Sequence, residues 1–87
     1  MKVLEIKDIV RKDVPIYYRL LYTGIAVLEL VNKPIERRID FSIEIKPTGQ
    51  REIIVTLADP VDYPLVPLIK AIKTYIHHLH NTGGLPG

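Results

Sequence analysis

The chain has 87 residues, of which 47% are hydrophobic and 25% charged, and its formal net charge is +2. These values are typical of one small globular domain, and they exclude collagen-like, disulfide-stapled, membrane-spanning and wholly disordered proteins. Because the chain has no cysteine, thiolate metal sites and a catalytic thiol are also excluded. Glu5, Lys7 and Asp8 interrupt the apolar run that a signal peptide needs, so we expect the protein to be cytoplasmic.

The first predicted strand is Met1 to Val10, in which Leu4 and Ile6 alternate with charged residues. Asp13 to Thr23, the next segment, is ambiguous. As a helix it would begin at Asp13 and stop at Gly24, but it would be apolar on nearly every side, with Arg19 as its one charge. An aromatic-rich strand that turns at Thr23-Gly24 into the following strand is therefore favoured.

The following strand, Gly24 to Val31, is apolar on both of its faces. Ile25 and Val27 share one face, whereas Ala26 and Leu28 share the other. The residues Asn32-Lys33-Pro34 then predict a short turn.

The clearest alternation in the chain runs from Glu36 to Lys46. Its apolar members are Ile39, Phe41, Ile43 and Ile45, and they alternate with Arg38, Asp40, Ser42, Glu44 and Lys46. This period of two predicts a strand with one buried and one solvated face. Turn residues at 47–50 and a β-rich run from Arg51 to Leu57 complete a predicted β-hairpin.

The last third of the chain has a helical period. Leu65, Leu68, Ile69, Ile72, Ile76 and Leu79 recur every three or four residues, opposite Lys70, Lys73, Thr74 and His77. We expect an amphipathic helix at about 63–81, capped by Asp59 or Asp62 and ended by Gly83-Gly84. The predicted fold is α+β, an antiparallel four- to five-stranded meander (residues 1–58) with this C-terminal helix on one face and a short tail at 82–87. Residues 1–87 form a single domain.

The predicted sheet has more apolar surface than one helix covers. Five strands span about 19 Å between their outer axes, whereas a helix with its side chains is about 10–12 Å wide. Burial of the excess against a second copy or another protein is favoured, with a curled sheet as the alternative. The expected interface has Ile25 and Val27 at its centre and Tyr17, Tyr18 and Tyr22 as anchors. The alternative role of the tyrosines is to pack the domain's own core.

No catalytic, cofactor or metal site is predicted. His77 and His80 lie about 60° apart on a helix, with His78 pointing elsewhere, and no carboxylate within a turn completes a zinc site. Ser42 is the only serine, and its position in mid-strand predicts a solvated side chain rather than a nucleophile. Asp40 and Glu44 have basic neighbours on the same face, which lower rather than raise a carboxylate pKa. We therefore expect a protein that is not an enzyme.

Nucleic acid is the alternative partner. Its candidate contacts are Arg37, Arg38, Lys46 and Arg51, with tyrosines of the sheet as stacking platforms for bases. Acidic residues interleaved on the same strands weaken this interpretation, and no RNA-recognition signature is present. No membrane contact and no small-molecule substrate are expected.

Overall fold

A computed structural model describes residues 1–13 and 18–86. Its elements are β1 (Lys2–Lys12), β2 (Arg19–Leu30), β3 (Lys33–Ile45), β4 (Arg51–Leu57) and α1 (Leu65–Thr82). Within this part of the chain the strands form one antiparallel sheet in the order β1-β2-β3-β4. The helix packs against one face and contacts both edge strands. The predicted α+β meander is confirmed, with four strands. Among the described residues, no helix has the length and apolar character that a membrane crossing requires.

β2 is one continuous strand, so the predicted turn at Thr23-Gly24 is wrong. Both residues lie inside the ladder, and Gly24 pairs with Ile39 of β3. The glycine provides space rather than a turn, because a Cβ at this position would lie 3.2 Å from the Ile6 side chain. The strand favoured over a helix for this segment is confirmed from Arg19 onward, and residues 14–17 lie outside the described part.

The β2–β3 connection is a two-residue turn at Val31-Asn32. Leu30 pairs directly with Lys33, and the two turn residues have φ values of 48° and 62°. Two successive positive φ values are typical of the type I′ turn, whose twist matches that of the flanking strands. The predicted turn at Asn32-Lys33-Pro34 is therefore displaced by one residue. Pro34 is tolerated in β3 because β4 pairs only from Ile39 onward, which leaves the first part of β3 with a free side.

The predicted hairpin of β3 and β4 is confirmed. Ile45 pairs with Arg51, and within the connection the Lys46 N–H donates to the Gln50 carbonyl at 2.8 Å. Gly49 has a φ of 86°, a conformation that favours glycine because a Cβ would be strained there.

The helix buries a narrow stripe and ends as predicted. Leu68, Ile72 and Ile76 are buried, and Gly83 closes the helix in the left-handed conformation. The predicted aspartate cap is wrong, since Pro64 occupies the N-cap position without a side-chain hydrogen bond. Leu65, predicted in the buried stripe, is exposed because it lies beyond the end of the sheet contact.

The hydrophobic core lies between α1 and the face of the sheet that the helix covers. Its buried members are Ile6, Tyr22, Ala26, Leu28, Ile39, Phe41, Ile43, Leu68, Ile72 and Ile76. The rings of Tyr22 and Phe41, paired across β2 and β3, stack with centroids 4.9 Å apart.

Candidate interaction surface

The sheet has a second face that the helix does not cover, here called the open face. It carries alternate residues of β2 from Arg19 to Glu29 with their partners on the other strands, whereas the intervening residues face the core. In the described part of the chain, no helix or strand packs over the open face. Antiparallel sheets commonly leave one face to solvent, so the residues that line it decide what it can bind.

Ion pairs cross the middle of the open face. The Lys7 ammonium donates to a Glu36 carboxylate oxygen at 2.9 Å, although Lys7 belongs to β1 and Glu36 to β3. The register places this bridge over β2 between Ile25 and Val27. Lys12 and Asp40 form a second bridge at 3.8 Å, near Leu21. The hydrogen bond with Glu36 raises the pKa of Lys7.

Three further ion pairs neutralise the rest of this face. Arg19 pairs with Glu44 at 3.1 Å, Lys46 with Glu52 at 3.3 Å, and Arg38 with Asp59 at 3.4 Å. The hydrogen bond from Arg38 lowers the pKa of Asp59. Because these pairs are largely exposed, they contribute little to stability. They leave the open face close to electrically neutral.

One end of the open face is apolar. Val10 is 59% exposed and Ile54 is 42% exposed. Between them, Leu21 pairs with Ser42, which pairs with Ile54, and a depression of about 180 Å³ lies over this row. The prediction that Ser42 is solvated is wrong: it is only 8% exposed, because longer side chains flank it on both neighbouring strands.

The predicted interface residues fall into three groups. Ile25 and Val27 lie on the open face, where they are half-buried. Tyr18 is exposed at the start of β2, and Tyr17 lies outside the described residues. Tyr22 is buried in the core against Phe41, which is the alternative role considered for the tyrosines, and its burial removes it from the surface.

The predicted nucleic-acid contacts do not converge on one surface. Arg37 faces the core side, where its guanidinium donates to the carbonyl oxygens of Pro60 and Glu36. Arg38 lies on the open face and is paired with Asp59, and Lys46 is paired with Glu52. Arg51 pairs with Ile45 on the helix side of the sheet. A polyanion would have to compete with these acidic partners for two of the four cations.

Sequence reasoning missed the most exposed apolar residues of the folded chain. Val10 ended a loosely alternating segment, Ile54 belonged to a uniformly apolar run, and Val66 fell outside the helical stripe. Their exposure depends on strand register and on where the helix leaves the sheet, and no local pattern reports either.

The histidines of α1 do not form a metal site. Among the described residues, no group of three or more histidine, cysteine, aspartate or glutamate side chains lies close enough to hold an ion. His80 is half-buried, and its burial lowers its pKa, with smaller contributions from the charges of Arg51 and His77.

Residues 1–81 match the family model described as the BB_0187 family, and the chain belongs to this family. Neither a curated protein nor a solved structure matches the sequence significantly.

Proposed function

We propose that this member of the family is a small protein-binding module that acts without catalysis and forms a homodimer through its open face. The observation that carries the proposal is the apolar end of this face, where Val10 and Ile54 are exposed on either side of the Leu21–Ser42 row. Such residues gain free energy when a second surface removes them from water.

The size of the open face suits a dimer. Four strands at about 4.8 Å spacing and some ten residues at about 3.3 Å rise cover roughly 600–650 Å². A typical stable interface buries about 800 Å² on each partner. Side-chain relief adds to the projected area, so one face of this sheet is close to the required size.

The charge of the open face also suits a second copy. In a two-fold dimer each patch meets an identical patch, and a strongly charged patch would repel itself. The Lys7–Glu36, Lys12–Asp40 and Arg19–Glu44 pairs remove that obstacle. The same neutrality disfavours nucleic acid, which needs a net positive surface.

Pairing through the β1 edge is less favourable than packing through the open face. The ladder with β2 has irregularities between Val3 and Glu5 and between Lys7 and Val10, and Asp8 between them has a φ of 52°. Such bulges twist an edge strand and interrupt its hydrogen-bonding groups, which protects it against pairing with another chain.

Sedimentation equilibrium of Val10→Lys and Ile54→Lys tests the proposal. Each substitution appears twice in a two-fold interface, so a cost of about 1.5 kcal/mol per site raises the dissociation constant roughly 100-fold. Val31→Lys is the matched control, because Val31 is exposed at the β2–β3 turn. Circular dichroism checks that each variant is folded.

Two results would contradict the proposal. One is a wild-type protein that stays monomeric at about 100 μM. The other is a dimer that tolerates Ile54→Lys and Val10→Lys as well as it tolerates Val31→Lys. A salt-dependent affinity for RNA that Arg38→Ala and Arg51→Ala abolish would favour the nucleic-acid alternative. Cytoplasmic location stays a prediction, which imaging of the tagged protein tests.

A further inference from the structure

The two edges of the sheet differ. β1 has bulges, whereas β4 pairs with β3 without a register shift from Arg51 to Leu57. No other described strand pairs with the outer side of β4. Its helix-facing residues Ile53, Val55 and Leu57 are only half-buried. A straight strand with an unpaired side is a template on which an extended segment of another chain can add.

An apolar groove lies beside the end of β4, where α1 begins. Leu65 is 59% exposed and Val66 is 80% exposed. A depression of about 520 Å³ between strand and helix is lined mainly by Val55, Leu57, Val61, Tyr63, Leu65 and Ile69. A second depression, of about 340 Å³, continues along the helix past Leu65 to Lys73. We call these two depressions the β4 groove.

The charge beside β4 has one sign. α1 contains no aspartate or glutamate, and Lys70 and Lys73 line the groove without an ion-pair partner among the described residues. At the other end of the strand, Arg51 lies close enough to His80 to affect its titration. The nearest acids are already engaged, since Glu52 pairs with Lys46 and Asp59 with Arg38.

We propose that the outer edge of β4 binds an extended segment of a partner protein, which adds as a fifth strand. Its groove-facing side chains are apolar beside Leu57 and Leu65, and acidic beside Lys73, Arg51 and His80. Backbone hydrogen bonds to β4 give affinity, and the apolar-to-acidic gradient sets direction and specificity.

A second copy of the chain fits this edge poorly. Antiparallel pairing of two β4 strands across a two-fold axis would bring Arg51 of one copy opposite Leu57 of the other. A cation would then face the apolar end of the groove, and two helices without acidic residues would approach each other. Both effects oppose pairing. The inference does not rest on the proposed dimer, because the dimer uses the open face.

The test selects peptides from a displayed library of random 12-residue sequences against the full chain carrying Val10→Lys, which is expected to weaken the dimer. Counter-selection uses the same chain with Leu65→Ser and Val66→Ser added. We expect the enriched peptides to combine apolar residues at alternate positions with aspartate or glutamate toward one end. On binding, amide chemical shifts should change along β4 and at the start of α1.

Variants then test the two parts of the groove. Leu65→Ser should weaken the best peptide about tenfold, because it removes an exposed apolar anchor. Lys73→Glu should weaken it about fivefold, and the loss should shrink at high salt. The matched controls are Val31→Ser and Lys33→Glu at the distant β2–β3 turn, which should leave the affinity unchanged.

Four results would overturn the inference: no peptide that depends on Leu65 and Val66; enrichment of lysine- and arginine-rich peptides; shift changes confined to the open face; or a dimer of the Val10→Lys chain that Leu65→Ser disrupts. Co-sedimentation with vesicles containing 30% phosphatidylserine, lost in Val66→Ser without any peptide binding, would replace the peptide with an anionic membrane. A monomeric wild-type chain that still binds acidic peptides would refute only the proposed dimer.

Discussion

Replacing Val31 by asparagine should make the protein more stable. Val31 occupies the first central position of the β2–β3 turn with a φ of 48°, a conformation that is strained for a β-branched residue. Asparagine tolerates positive φ and is common at this position of a type I′ turn. The substitution therefore removes strain from the folded state without changing the strand register.

The structure sets the size of the effect. A non-glycine residue in the left-handed region costs roughly 1–2 kcal/mol, and asparagine avoids a large part of that cost. Val31 is 94% exposed, so its removal forfeits almost no buried apolar surface. A net gain of about 1 kcal/mol is expected, which for a domain of this size raises the Tm by roughly 4–8 °C.

Urea denaturation measures the gain most directly. The Val10→Lys background is expected to reduce any contribution of dimerisation to apparent stability. An unchanged slope with a higher midpoint indicates a change in stability alone. Val31→Ala is the control, because it removes the branched side chain but keeps a Cβ. If Val31→Asn is no more stable than Val31→Ala, the positive φ at residue 31 carries no strain and the reasoning is refuted.

Two further predictions concern the core and the helix end. Ile72→Ala, at a fully buried helix position, should destabilise the fold by about 2–5 kcal/mol in the same urea assay, and a loss below 1 kcal/mol would contradict the packing described for α1. Because burial lowers the pKa of His80 below its usual 6.5, the unfolded chain binds more protons than the folded one as pH falls below 6.5. Stability should therefore decline below that pH. His80→Gln should flatten this decline relative to the exposed His78→Gln, and an unchanged slope would contradict the assignment.

The strands and helix were predictable where the pattern reports one buried face. The alternation from Ile39 to Ile45 and the three- to four-residue spacing from Leu68 to Ile76 arise because only one side of each element meets the core. Gly83 likewise marks the helix end, since its left-handed conformation costs little without a Cβ. These local signals were enough to establish the α+β class and the helix-on-sheet packing.

The mid-strand glycine and the open-face residues show where local pattern was insufficient. Gly24 resembles a turn residue in sequence, but its position in β2 depends on the close approach of Ile6 from the neighbouring strand. Ser42 is buried because Leu21 and Ile54 flank it from two other strands. Both outcomes follow from residues far apart along the chain.

The sequence by itself determined that this small domain without cysteine has a sheet with more apolar surface than one helix covers. Tertiary structure decided where that surface lies. Strand register places Tyr22 in the core and leaves Val10 and Ile54 exposed, and ion pairs such as Lys7–Glu36 cross Ile25 and Val27. The position of α1 leaves Leu65 and Val66 beside the β4 edge. The physical reason is that periodicity specifies faces, whereas exposure depends on which faces meet in three dimensions.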